Sequence, residues 1–228
     1  DLDVHFGTGA LSLDLEPGRG LTDAIENPSR IDGLFIERAM VRANDKLSVL
    51  SAEAPINQPM LTDGSAFFQL QEEMRNAFET TVLDLPRHML VQHPHLVHDA
   101  HVCIVVVELT LAATRDAIRI LSWLKANAPQ ARVVVVANKV AAANVQEISR
   151  KDFEKSIERK VDIVVPFDPK AAAQAAKLGQ PLAKLVTMTV SAVDGDDKGE
   201  AAEVGGSLIG KLGNFKALVA KKPAKAAA

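Results

Sequence analysis

The sequence has little cysteine and no long apolar run. Its one cysteine, Cys103, lies inside the apolar run 102–107, where we expect a small buried side chain rather than a reactive thiol. A single thiol fits a reducing cytosol. No apolar run reaches the roughly 18 residues that a membrane-spanning helix needs, and no basic-then-apolar signal segment opens the chain. We therefore expect a cytoplasmic protein without a membrane span.

The chain also lacks a strong net charge. Its formal net charge is -3, with 24% charged residues, so no global basic field indicates nucleic-acid binding. Its basic residues are scattered, and Arg115 and Arg119 alone form no basic stripe. Hydrophobic residues make up 47% of the 228 positions, enough to build the core of one large domain. This composition excludes a chain that is disordered throughout.

Runs rich in β-branched residues predict strands at residues 46–50, 80–83, 102–107, 132–137 and 163–165. Uninterrupted apolar runs are typical of strands that are buried on both faces, as in a parallel sheet. Helical periodicity is clearest over residues 110–125 and is also present over 21–43 and 64–78. Strands that alternate with helices predict an α/β fold with a doubly wound, mainly parallel sheet.

The character of the sequence changes near its end. An alanine-rich helix is predicted from residue 170 until Gly179 and Pro181 stop it, and a loop follows at 194–199. The last eight residues, 221–228, form a basic alanine tail that we expect to be disordered. We divide the chain into a partial domain at 1–190 and an extension at 191–228.

Two aspartates follow predicted strands. Asp3 stands where a buried strand would enter a loop, and Asp84 ends the run 80–83. Sheets of this class bind ligands outside the carboxyl ends of their strands. In a phosphoryl-transfer site Asp84 would hold magnesium through water, and Asp3 would orient the attacking water. Each aspartate, taken singly, is equally well interpreted as a solvated strand end or a helix cap.

Further polar residues follow the later strands. Asn138 comes directly after the run 132–137, where its amide could read the edge of a purine, although a lone asparagine there is more often a turn residue. Pro166 and Asp168 end the next predicted strand.

Five of the six histidines fall between His88 and His101, which suggests a metal site. Their spacing does not stack three of them on one helix face, and Pro94 interrupts the segment. A partly exposed helix without metal is the favoured interpretation.

The sequence contains no glycine-rich phosphate loop with its lysines. Residues 205–211 carry glycines and a lysine, but neither the loop spacing nor a preceding buried strand. The opening residues, 1–3, read as the end of a strand that has no beginning, so we expect the chain to be truncated at its N-terminus. A missing central strand would leave a buried edge unpaired, and the isolated chain is expected to be poorly soluble or domain-swapped.

Taken in order, these segments resemble the ParA/MinD superfamily of deviant Walker A ATPases, and most of all its pilus-assembly branch, CpaE/TadZ. The resemblance spans roughly residues 1–184. It is carried by residues 1–3, 83–87, 107–116, 138–139 and 166–182. It implies a P-loop NTPase-like fold that lacks its first strand and phosphate loop.

The resemblance also implies roles for individual residues. Asp3 matches the catalytic switch I aspartate, and Asp84 matches the Walker B aspartate that holds Mg²⁺ through water. Asn138 matches the adenine-reading asparagine. Pro166 and Asp168 match the loop that closes over the base.

By the same resemblance, the intact protein is a homodimer that binds ATP and Mg²⁺ and helps to place pilus assembly or secretion machinery at a bacterial cell pole. Without the phosphate loop, this chain alone is not expected to hydrolyse ATP. One alternative is a polar scaffold that needs no nucleotide. Another is a DNA-partitioning relative, which the scattered basic residues disfavour.

Overall fold

The computed structural model describes residues 1–60, 62–142, 145–168 and 186–191. The chain divides into two compact units. The first unit comprises Asp1–Ala100 and Ala126–Pro129, and the second comprises the described residues of His101–Lys125 and Gln130–Ala228. The limits of a single domain at 1–190 stay a prediction, as do those of the extension at 191–228. The predicted alanine-rich helix, the loop at 194–199 and the basic tail lie outside the described residues.

A parallel sheet forms the centre of the second unit. Its strands are β3 (Val102–Val107), β4 (Arg132–Val140) and β5 (Ile163–Pro166), in the spatial order β3-β4-β5. Helices α5 (Leu111–Asn127) and α6 (Arg150–Ser156) connect them, because parallel neighbours need a crossover rather than a tight turn. Residues 186–191 are also helical. The predicted α/β fold with a parallel sheet is confirmed.

Strand β4 is buried on both faces. Consecutive residues of a strand point to opposite faces, and Val134–Ala137 are all 4% exposed or less. Val134 and Val136 pack with Ile163 of β5 in one apolar cluster. The valine-rich run at 132–137 therefore predicted this strand correctly.

Strand β3 differs from that expectation. Val105 and Val107 are buried, whereas Ile104 is 39% exposed and Val106 is 60% exposed. Among the described residues, β3 pairs with β4 alone and so lies at an edge of the sheet. The prediction of burial on both faces is wrong for β3, because nothing in the described chain covers one of them.

Helices and a hairpin form the described part of the first unit between residues 1 and 100. The elements are α1 (Gly20–Glu26), α2 (Gly33–Ala39), β1 (Val41–Asn44), β2 (Leu47–Val49), α3 (Ser65–Ala77) and α4 (Arg87–Gln92). Short 3₁₀ turns lie at Leu11–Leu13, Pro28–Arg30 and Pro94–Val97. The helical segments predicted at 21–43 and 64–78 are confirmed, except that residues 41–43 belong to β1.

Helix α3 carries much of the core of the first unit. It buries Ala66, Phe67, Leu70 and Met74, and this spacing places them on one helix face. They pack in one apolar cluster with residues from the start of the chain, among them Leu2. No helix in the described ranges is long and apolar enough to cross a membrane.

One strand prediction in the first unit is correct only in part, and another is wrong. The strand predicted at 46–50 forms as β2, but it pairs with β1 in an antiparallel hairpin rather than in the parallel sheet. The Asn44 side chain accepts the Lys46 N–H (2.9 Å) and closes the turn that reverses the chain. Residues 80–83 form no strand, and Val82 is 81% exposed. Their β-branched side chains favour an extended backbone, but a strand also requires a partner.

Glu154 ties α6 to the segment that enters β5. Its carboxylate accepts hydrogen bonds from Lys160 Nζ (2.8 Å), the Val161 backbone N–H (3.1 Å) and Arg150 Nε (2.8 Å). These contacts lower the pKa of Glu154 to about 2, with the Lys160 hydrogen bond as the largest cause. A carboxylate whose pKa is lowered by folding stabilises the fold only while it is ionised.

Glu154→Gln should therefore lower the free energy of unfolding at pH 7. Because the folded pKa lies below the ordinary value of 4.5, the wild-type advantage should be full above pH 4.5 and should decline as the pH falls towards about 2. Urea denaturation at a series of pH values measures this. Glu158→Gln, at an exposed position nearby, is the control and should change little. A difference in the free energy of unfolding between wild type and Glu154→Gln that does not depend on pH would show that the charge of Glu154 is not its cause.

The open edge at β3 should promote self-association of the 228-residue chain. Val106→Lys should reduce it, because a charged side chain on an edge strand opposes edge-to-edge pairing. Light scattering after gel filtration measures the effect. Ile118→Lys adds the same charge at a 45% exposed position on α5 and should not reduce self-association. A monodisperse wild-type monomer that unfolds cooperatively would contradict this prediction.

Candidate functional site

Asp3 lies in a tight turn of the first unit. Its Oδ1 accepts the backbone N–H groups of His5 (3.2 Å) and Phe6 (3.0 Å). The Gly7 N–H donates to the Asp3 carbonyl (2.9 Å) and closes the turn. One carboxylate oxygen thus shapes the loop, and the described residues offer Oδ2 no hydrogen-bond donor.

Asp84 lies beside the segment that carries Asp3. Its carbonyl accepts the Leu2 backbone N–H (3.0 Å), and its side chain is exposed. In the same segment, the Val4 carbonyl accepts the Ala54 N–H (2.7 Å). The structure therefore places Asp84 beside Leu2, the residue before Asp3, although Asp84 does not end a strand as predicted.

The described residues contain no group of three or more histidine, cysteine, aspartate or glutamate side chains placed to hold a metal ion. Asp84, with its exposed carboxylate, could supply only part of a magnesium shell. Magnesium is commonly held by one or two carboxylates together with waters and phosphate oxygens, so Asp84 fits a nucleotide-bound ion better than a metal site built by protein alone.

Asn138 lies in a β-bulge at the carboxyl edge of the second unit's sheet. Ala137 pairs with Val164, and Val140 pairs with Pro166. Between these pairs β4 has two residues and β5 has one, so β4 carries one extra residue. Lys139 adopts φ 51°, in the left-handed region. Bulges of this kind redirect side chains and are frequent next to functional sites.

The bulge is closed by its own side chain and by β5. Asn138 Oδ1 accepts the Lys139 backbone N–H (2.9 Å), and the Phe167 N–H donates to the Val140 carbonyl (3.0 Å). The structure therefore brings Asn138 and Pro166 to the same sheet edge. Asp168 follows Phe167 at an exposed position.

The sequence-based prediction missed two contacts at this edge. Lys139 Nζ lies 3.1 Å from Glu108 Oε1, in an ion pair that joins the ends of β3 and β4. Glu147 Oε1 accepts the Leu111 N–H (3.1 Å) at the start of α5. A signal for the first was present, because Glu108 and Lys139 each follow a predicted strand closely. These two positions predict an ion pair only once the pairing of Val107 with Ala137 is known.

The predicted site residues thus fall into two groups. Asp3 and Asp84 belong to the first unit, whereas Asn138, Pro166 and Asp168 belong to the second. Each group is brought together within its own unit.

The histidine segment is organised around a packed imidazole. His93 ends α4 and is 7% exposed, with its ring 5.0 Å from the Phe67 ring and 5.9 Å from the His95 ring. Gly64 packs against it at φ 89°, and an added β-carbon there would lie 2.9 Å from His93 Nδ1. The prediction of a partly exposed helix holds for His88 but not for His93.

Comparison with solved structures found a similar fold in the crystal structure of a ParA family ATPase from Chlorobium tepidum TLS. The TM-score is 0.59 at 16% sequence identity, over 85% of this chain and 86% of that one. The chain has a ParA-type P-loop NTPase fold. No family model matched the sequence, and no curated protein did. At this identity the similarity shows the fold alone.

The buried His93 should make the first unit sensitive to acid. Burial, and next the charge of His95, lowers its pKa, while Asp63 acts in the opposite direction. Because the unfolded chain binds the proton more readily, stability should be full above pH 6.5 and should fall as the pH drops below it. His93→Phe, which keeps a ring but cannot titrate, should flatten this dependence.

Denaturation curves between pH 7.5 and 5.5 measure the effect, and His88→Phe at an exposed position is the matched control. Equal pH dependence in wild type and His93→Phe would show that another group is responsible.

Proposed function

We propose that this chain is the nucleotide-binding part of a ParA/MinD-like ATPase. The observation that carries the proposal is the bulge at Asn138, which lies at the carboxyl edge of a parallel sheet in a chain with a ParA-type fold. In open α/β sheets ligands bind outside this edge.

Asn138 supplies the chemistry for reading a base. Its Oδ1 already accepts the Lys139 N–H, which fixes the plane of the amide. Nδ2 remains a donor, and Oδ1 keeps a second lone pair. A donor beside an acceptor complements the edge of adenine, which presents N1 as acceptor and the N6 amine as donor. Pro166 and Asp168 lie on the same edge and are proposed to close over the base.

For Asp84 and Asp3, in the first unit, we propose the roles that the sequence resemblance implies. Asp84 would hold Mg²⁺ through water, and Asp3 would orient the attacking water with the oxygen that the turn leaves free. Bound ATP would supply the phosphates whose oxygens complete the magnesium shell. Residues 1–228 contain no glycine-rich phosphate loop, so we expect no hydrolysis by these residues alone.

For the cellular role we propose a nucleotide-dependent homodimer that helps to place pilus assembly or secretion machinery at the cell pole. Support comes from the sequence resemblance to the CpaE/TadZ branch. A second candidate is a polar scaffold that needs no nucleotide, and the absence of a phosphate loop from these residues favours it. The two candidates differ in whether ATP changes the oligomeric state.

Nucleotide titration of the protein encoded by the complete gene tests the proposal. Asn138→Ala should weaken ATP binding about 10-fold, the cost of one or two lost hydrogen bonds, and should reduce the preference for ATP over GTP. Asp84→Asn should weaken binding only when Mg²⁺ is present. Asn76→Ala, at an exposed position on α3, is the control and should bind ATP normally.

Dimerisation should be followed in the same samples by light scattering. An intact protein that neither binds ATP nor dimerises in its presence would contradict the ATPase proposal and favour the scaffold.

A further inference from the structure

Lys139 occupies a backbone conformation that suits it poorly. At φ 51° the β-carbon crowds the backbone, and glycine or asparagine usually fills such a position. Backbone strain of this kind persists only when the surrounding contacts hold it, and it concentrates at binding sites. The contacts that hold Lys139 in this conformation therefore indicate its role.

The bulge is held by an ion pair to the end of β3 and by a hydrogen bond between its own two residues. Lys139 Nζ reaches Glu108 Oε1 at 3.1 Å, directly after β3. The Lys139 N–H donates to Asn138 Oδ1 at 2.9 Å. On the far side Val140 accepts the Phe167 N–H of the segment after β5 (3.0 Å). The bulge is thus anchored to both neighbouring strands.

The ion pair is not placed to stabilise the fold as a whole. The Lys139 and Glu108 side chains are 60% and 51% exposed, and exposed pairs contribute little to global stability. Its effect is local, because Lys139 follows Asn138 directly and its N–H orients the Asn138 amide. Fixing Lys139 fixes the direction in which Asn138 presents Nδ2.

We propose that Lys139 is a positioning residue for nucleotide binding, and that Glu108 holds it in place. The ion pair keeps the strained bulge in the one conformation that presents the Asn138 amide to the base. Lys139 itself does not contact the nucleotide. This inference rests on the proposed function, in which Asn138 reads adenine.

A double-mutant cycle on the protein encoded by the complete gene tests the inference. Lys139→Met keeps most of the length of the side chain but removes its charge, and it should weaken ATP binding roughly 3- to 10-fold. Glu108→Gln should weaken it to a similar extent. Neither should shift the thermal unfolding midpoint measurably. In an Asn138→Ala background, Lys139→Met should have no further effect, because Lys139 acts only through Asn138.

Two further variants sharpen the result. Reversing the pair, as Glu108→Lys with Lys139→Glu, should restore part of the affinity that either single change removes. Lys151→Met removes another exposed lysine, on α6, and should leave ATP affinity unchanged.

The outcomes separate the inference from the proposed function. If Asn138→Ala weakens ATP binding and Lys139→Met does not, the positioning role is wrong and base reading by Asn138 stands. If Lys139→Met weakens binding equally with and without Asn138, Lys139 contacts the nucleotide directly and the positioning role is overturned. If Asn138→Ala leaves ATP affinity unchanged, base reading by Asn138 fails, and the inference fails with it.

Discussion

Strand β4 must be paired along both edges, and the second unit is built around that requirement. Its residues Val134–Ala137 are buried, so every backbone N–H and C=O there needs a partner within the protein. β3 pairs with it in parallel on one side and β5 on the other. Just before β5, Asp162 accepts the Val135 N–H with its carboxylate (2.7 Å) and donates its own N–H to the Val135 carbonyl (2.9 Å). Parallel pairing in turn requires the crossover helices α5 and α6. The alternation of strands and helices in the second unit therefore follows from the need to pair the backbone groups of β4.

The candidate site lies where the regular pairing of β4 with β5 is interrupted. Parallel strands bring their carboxyl ends to one edge, so the polar residues that follow them converge there. The bulge at Asn138 and Lys139 interrupts the ladder between Ala137 and Val140, and β5 resumes it at Pro166. In the first unit, Asp3 and Asp84 are held by loop contacts instead of by a ladder. The two groups of site residues therefore depend on different kinds of support.

The sequence predicted the parts of the fold whose physical cause is local. Unbroken apolar runs marked β3, β4 and β5, and strand ends pointed to Asn138 and Pro166. Residues 80–83 have the same β-branched character but form no strand, because propensity does not reveal whether a partner exists. The Glu108–Lys139 pair could not be predicted, since two charges distant in sequence become neighbours only through the register of β3 on β4.

We propose that a nucleotide base binds at the carboxyl edge of β4 and β5. Hydrogen–deuterium exchange of the protein encoded by the complete gene, with and without ATP and Mg²⁺, tests it most directly. ATP binding should slow exchange at the backbone amides of residues 138–140 and of Phe167, with little change inside β3. ATP binding that leaves exchange at these amides unchanged would contradict it.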